Sequence, residues 1–401
     1  MASSNVRQSS FWKRTPAFTP SRVELVYSST AHTDTAADLA PKAKQQPAAA
    51  PEPAAEPATE PDPRTADPNP LAAAEPPSPP VSSTLEDKFQ ALLSSPHVDL
   101  EQLKKLSWKG IPSRHRRTAW QLLMGYLPLN GSRRAATVAR KRKEYADWTA
   151  QTFQRGEASL DRQVWHQIRI DVPRTRPDSP VIQHARVQRS LERALYCWAV
   201  RHPASGYVQG INDLLTPFYC VFLGEAEVDS VSDQALAETE ADAFWCLTRL
   251  LDGIQDNYTH AQPGIQRQVV KLRELVARIN RPLADHLSAE GIEFIQFAFR
   301  WINCLLMREV SLANTVRMWD TYLAEPDGFS TFHIYVCAAF LLRWAAELMQ
   351  LDFQKAILFL QNPPTAAWTT QDIELLLAEA YMYKCLYHDS PSHYAATATR
   401  R

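Results

Sequence analysis

Two short segments combine residue types that can act on a phosphoryl group. The first, residues 168–177 (IRIDVPRTRP), sets Asp171 three residues before Arg174. Pro173 interrupts regular structure between them, and the apolar Ile168, Ile170 and Val172 alternate with polar residues as anchors. A guanidinium carries five donors in a fixed plane, which suits it to negative charge spread over a transferring phosphoryl group. The second segment, residues 205–218 (SGYVQGINDLLTPF), brackets Tyr207, Val208 and Gln209 between Gly206 and Gly210 where a helical run is about to begin. Glycine permits a tight backbone there, so one carboxamide is presented that can both accept from and donate to a water. Singly, an arginine is more often a surface or salt-bridge residue, and a lone glutamine more often still. As a pair they are what a GTPase takes from outside when its own catalytic residues are insufficient.

The elements that must hold these segments read as helices. In SSTLEDKFQALLSS, Thr84 can cap, Asp87 stands at the third helical position, and Leu85, Phe89, Leu92 and Leu93 form an apolar stripe. Val187, Leu191, Leu195 and Trp198 recur at helical spacing, as do Phe294, Phe297, Trp301 and Leu305, and IELLLAEAYMYKCLY closes the chain the same way. Alternating strand patterns between turn residues are hard to find. The expectation is an all-α fold, one large helical domain over residues 84–395 with a short tail at 396–401. Residues 1–83 read as a disordered tail and tether, because from about Pro41 to Pro80 the chain is Pro, Ala, Glu and Asp with hardly a large apolar side chain to offset ordering entropy. The Ser- and Arg-rich opening fits either an organelle transit peptide or a flexible tail with a docking motif at Phe11 and Trp12.

Composition excludes several classes of function. A formal net charge of -1 lacks the basic excess that phosphate-backbone binding leaves, so nucleic acid is not an expected partner. No apolar run approaches the roughly 18 residues of a transmembrane segment, since even HIYVCAAFLLRW is broken by Arg343. Six cysteines without a CxxC pair suggest buried, reduced thiols of a cytoplasmic protein rather than a zinc site or disulfide framework. Nucleotide-loop, zincin and hydrolase signatures are missing, so no nucleotide of its own is expected. The run RKRKE around Lys141 reads as a solvated helix face, Trp120 and Trp301 as core, and the acidic stretch after Leu223 as an exposed loop leading into a helix near Glu240.

The joint pattern resembles the TBC-domain Rab GTPase-activating proteins. Their arginine motif IxxDxxR stands here as Ile168, Asp171 and Arg174, and their glutamine motif YxQG as Tyr207, Gln209 and Gly210. The leading motif is matched by Gly110, Ile111, Pro112, Arg116 and Trp120, and similarity continues through nearly everything after residue 95. The branch it looks most like is TBC domain family member 22 with its yeast GYP-type relatives. Departures are few: His115 and Arg117 stand where many members carry apolar or proline residues. The resemblance implies that Arg174 enters the nucleotide site of a Rab small GTPase and that Gln209 positions the attacking water. In the supporting set, which includes Gly210, Asp171 would hold the guanidinium, Tyr207 pack beneath it, Asn212 bond backbone, and Arg116 brace the arginine motif. GTP and Mg would belong to the Rab partner, with no cofactor of this chain's own. A Rab1-like substrate and a peripheral place at Golgi or other endomembranes follow from the same resemblance, while the docking motif at Phe11 and Trp12 would let adaptor proteins bind through the N-terminal tail. The alternative is a catalytically inactive Rab-binding scaffold or effector.

Overall fold

In the computed structural model, residues 84–388 are described; the expectations for 1–83, for 396–401 and for the last few residues of the 84–395 domain lie outside them. Every regular element among the described residues is helical, and the one β-type pairing is an isolated bridge between His97 and Asn130. None of these helices is long and apolar enough to cross a membrane.

The first helix, Leu85–Leu93, starts with the capping box read from sequence: Asp87 N–H donates to Thr84 Oγ1, and Thr84 N–H donates back to Asp87. Phe89 and Leu92 are buried, while Leu85 at the free end of the stripe is exposed. Val187, Leu191, Leu195 and Trp198 all face the core from the Ala185–Arg201 helix. The Phe294 to Leu305 stripe is buried as well, but its helix ends at Asn303, so Leu305 belongs to the turn that follows. The helix expected near Glu240 begins at Asp233 instead, because Ser232 caps it through Ala235 N–H. Glu240 and Asp242 are consequently buried rather than part of a loop. Nor are all thiols buried, since Cys385 is exposed.

At the centre lies Ile211–Leu223, a helix buried on nearly every side, packed against the Ala185–Arg201, Asp233–Asp252 and Leu312–Ala324 helices. Its interior Pro217 cannot donate to the carbonyl of Asp213, and Thr216 Oγ1 fills that place at 2.8 Å. Phe218 stands edge-on to both Trp120 and Trp319, with ring centroids 5.9 and 5.5 Å apart. Trp120 and Trp301 are both core, as expected. The N-terminal end of this packed helix is where the glutamine segment emerges, so that segment starts from a fixed base.

Candidate functional site

The arginine segment is the end of a helix. Asp161 caps Arg162–Asp171 by accepting from Gln163 and Val164 N–H, and a single tight turn over Val172–Arg174 follows, with Pro173 ending the α-helical ladder. Helical period places Ile168 and Val172, four apart, on the buried side. Ile170 is 39% exposed and anchors nothing, because the strand-like alternation read from the sequence does not apply inside a helix.

Asp171 is buried and collects three donors: Arg174 Nη2 at 2.7 Å, Tyr207 Oη at 3.0 Å and Gln167 Nε2 at 3.1 Å. Arg174 also donates through Nε to the carbonyl of Ile170 at 2.9 Å, resting a positive group on the negative end of its own helix. Even so, the Arg174 side chain is 62% exposed. Because the guanidinium itself is wetted, solvent screens its contacts to Asp171 and to the Ile170 carbonyl, so it is oriented without being captive.

Gly206 and Gly210 both adopt left-handed φ, +62° and +112°, as the tight turn required. Asn212 was expected to bond backbone, and its Oδ1 accepts the Gly210 N–H at 2.9 Å, while Asn212 Nδ2 donates to Thr175 Oγ1 at 2.8 Å. Thr175 Oγ1 donates in turn to the carbonyl of Asp171. The Tyr207 hydroxyl lies within donating distance of Asp171 and of Asn212 Oδ1, 3.2 Å away. Burial, then the charge of Asp171, push the phenol's pKa far up, so it remains a donor at any physiological pH. One connected set of bonds therefore fastens both segments, while Gln209 itself is exposed and its carboxamide is bonded to none of the described residues.

Arg116 is not part of this set. Its guanidinium spans Asp320 and the carbonyl of Ile111, and Asp320 also takes Ile111 N–H and Trp120 Nε1. It pins the 110–112 loop to the Leu312–Ala324 helix instead of bracing the arginine motif as the resemblance implied. Three residues that hold the segments were missed. Arg176 stretches its guanidinium to the carbonyls of Met307 and Val310 at 2.7 and 3.2 Å, Asn303 Nδ2 donates to the carbonyl of Gln209 at 3.0 Å, and Gln167 reaches Asp171. The RTR pair in the first segment was the one available signal for Arg176, and sequence offers no way to tell which arginine faces inward.

The site residues line none of the cavities of about 910, 360 and 240 Å³. No group of three or more His, Cys, Asp or Glu among the described residues is arranged to hold a metal ion. An exposed arginine and an exposed carboxamide on a tightly bonded base suit insertion into another molecule better than capture of a small one.

The chain is 54% identical over 318 residues to GTPase-activating protein gyp1 of Schizosaccharomyces pombe, a match covering 76% of this chain and 62% of that protein. With TBC1 domain family member 22A of Homo sapiens the identity is 52%, over 77% of this chain and 61% of the relative. The chain thus spans about three fifths of the length of these relatives. Among solved structures, the Ypt/Rab-GAP domain of Gyp1p aligns with a TM-score of 0.71 and 48% identity, covering 76% of this chain and all of that one. A flagellar RabGAP TBC domain from Chlamydomonas, 23% identical with a TM-score of 0.52, shares the fold. The Rab-GTPase-TBC domain profile matches residues 113–349, more than half of the chain and both segments of the site, and the chain belongs to that family.

Proposed function

We propose that this chain accelerates GTP hydrolysis by a Rab-family small GTPase, placing Arg174 and Gln209 in the partner's nucleotide site. The observation that carries the reading is the shared base: Asp171, Tyr207, Asn212 and Thr175 link the two segments by hydrogen bonds while both candidate fingers face solvent. Arg174 exchanges its weak contacts with Asp171 and Ile170 for phosphoryl oxygens, where its fork is worth about 10³–10⁵ in rate for arginine fingers generally. Gln209 accepts from and donates to the attacking water, so that the water is oriented by a group from this chain. GTP and Mg are the partner's, and this chain adds neither a metal ligand nor a cofactor. In its narrower form the proposal is a Rab1-like substrate in vesicle transport at the Golgi, supported by the sequence resemblance alone, with adaptors bound through the N-terminal tail, supported by Phe11 and Trp12 among basic residues there.

Single-turnover hydrolysis across a Rab panel, with and without the protein, tests the activity and ranks the substrates. To separate two fingers from one, the responsive Rab is also prepared with its own catalytic glutamine changed to alanine. That Rab should still be stimulated, and Gln209→Ala should then abolish the stimulation, a loss of about 2–4 kcal/mol of transition-state stabilisation with little change in Tm. A wholly refractory altered Rab, together with full activity of Gln209→Ala on the normal one, would remove the glutamine from the mechanism.

A further inference from the structure

We infer that the turn over residues 303–310 is a brace that fixes the two finger segments relative to each other, with Asn303 and Arg176 as its positioning residues. The inference rests on the proposed GTPase-activating function for its consequence, though not for its geometry.

The turn reaches both segments at once. At its start, Asn303 Nδ2 donates to the Gln209 carbonyl, directly behind the carboxamide that would meet water. Close approach is possible because residue 210 is glycine: a Cβ there would collide with the Asn303 amide. Asn303 Oδ1 is buried without a partner among the described residues. An orphaned buried acceptor carries a desolvation cost, so this side chain is not placed for its own stability; beside a long 3.9 Å contact to Cys304 Sγ, the bond its amide delivers to the Gln209 backbone is what the arrangement achieves. A few residues on, the carbonyls of Met307 and Val310 receive Arg176, two residues beyond Arg174. Between these attachments Arg308 bonds Asp213, in the first turn of the helix that follows Gln209.

A brace has to be stiff, and this one shows it. Leu305 and Leu306 hold left-handed φ of 49° and 57°, and Arg176 holds 48°; such values are unfavourable for residues other than glycine and persist only where the surroundings enforce them. The enforcement is visible: Leu305, Leu306 and Met307 are fully buried, Arg176 is 8% exposed, and Tyr258 Oη donates to the Asn303 carbonyl at 2.7 Å. Two reactive groups on separate segments must keep their spacing to well under 1 Å, and a single rigid element touching both does this more directly than either segment can alone.

The test uses the full chain and a responsive Rab, reading single-turnover rate against protein concentration to give a maximal rate and a half-saturating concentration. Asn303→Ala should lower the maximal rate about tenfold or more while leaving half-saturation within about twofold, and in a Gln209→Ala background it should add no further loss. Arg176→Met should lower the maximal rate comparably, and Arg176→Lys should recover part of it, because an ammonium can still meet one carbonyl. Independently of any GTPase, amide exchange at Gly206, Gly210 and Ile211 should quicken about tenfold in Asn303→Ala. Unchanged exchange, a loss that multiplies with that of Gln209→Ala, or a normal maximal rate in Arg176→Met would overturn the brace. If Asn303→Ala does not fold, the Arg176 pair decides alone. Failure of the wild-type protein to accelerate any Rab would retire the proposed function, with the exchange measurement still deciding the brace.

Discussion

Asp171 and Asp242 are both buried carboxylates that gather an arginine, a tyrosine and a glutamine, yet they serve opposite ends. Asp242 takes Arg142 through two nitrogens, Arg117 at 3.0 Å, Tyr126 Oη at 2.6 Å and Gln121 at 3.1 Å, tying the Ser113–Leu123 and Arg134–Phe153 helices to Asp233–Asp252. Beside it Glu240 holds Tyr145, Ser190 and Arg193 in the same manner. The arginines around Asp242 are folded inward, 26% and 38% exposed, whereas Arg174 on Asp171 is 62% exposed. The same chemical parts make a lock when every donor closes on the carboxylate. They leave a presented arginine when one donor stays on the solvent side, with only a carboxylate oxygen and a helix-end carbonyl to steady it.

Removing each arginine's function should show the difference. Arg174→Ala should lower the Rab hydrolysis rate by about 10³ or more, and Arg174→Lys nearly as far, because an ammonium lacks the planar fork. Tm should hardly move in either variant. A variant that melts early, or a lysine variant with near-normal turnover, would make Arg174 another structural arginine and erase the contrast.

Next in size is Asp242→Asn, which leaves Arg117 without its charge partner and Arg142 with Glu238 alone. Removal of one member of a buried pair costs about 3–5 kcal/mol, and since both arginines are partly wetted the low end, about 3 kcal/mol, is expected. Denaturant unfolding measures this, and activity per folded molecule should stay normal. Equal stability of the variant and the wild-type protein would show that the cluster is not a lock.

The smallest effect separates the lock from a neutral buried group by pH. Burial pushes Asp242 up, but the bonds from Arg142, Tyr126 and Arg117 outweigh it and hold the carboxyl below its ordinary 3.8. A depressed carboxylate contributes stability that is complete above the unfolded pKa and is lost only as pH falls through the folded one, so the lock survives mild acid. His333 behaves differently: fully buried between Tyr322 Oη and the Trp301 carbonyl, it is pushed down by burial from 6.5 to about 4. The neighbouring Tyr322 and Cys337 are raised by burial and stay neutral. The unfolded chain then binds a proton at His333 first, so this group's contribution is whole above pH 6.5 and declines as pH falls toward 4. The expected decline is about 2 kcal/mol at pH 5. His333→Gln should flatten the fall of stability between pH 6.5 and 4, while Asp242→Asn should leave its slope unchanged.

Much of this was legible in the chain. The Thr84 cap, the buried faces of the Ala185–Arg201 and Ile295–Asn303 helices and the arrangement Asp171–Arg174 all follow from spacing along one element, where geometry is fixed by a 3.6-residue period. The left-handed glycines around Gln209 were legible for a similar reason, since only glycine takes those angles freely. Misreadings arose where a pattern could serve two periods or two environments. Ile170 fits an alternating run but lies on a helix, and the RKRKE run around Lys141 hides Arg142, which is bonded to buried Asp242 rather than left as a solvated face.

What the sequence determined by itself was therefore local: helix positions, turn chemistry, and the residue types able to act on a phosphoryl group. What only the tertiary structure decided was pairing across distance, such as Arg116 with Asp320, Arg142 with Asp242, Arg176 with Met307, and Asn303 with Gln209. The reason is physical. An arginine side chain has the same chemistry wherever it stands, and whether it locks a core or enters a partner depends on which carboxylates and carbonyls the packed helices bring within about 3 Å of it, and on which side is left to water.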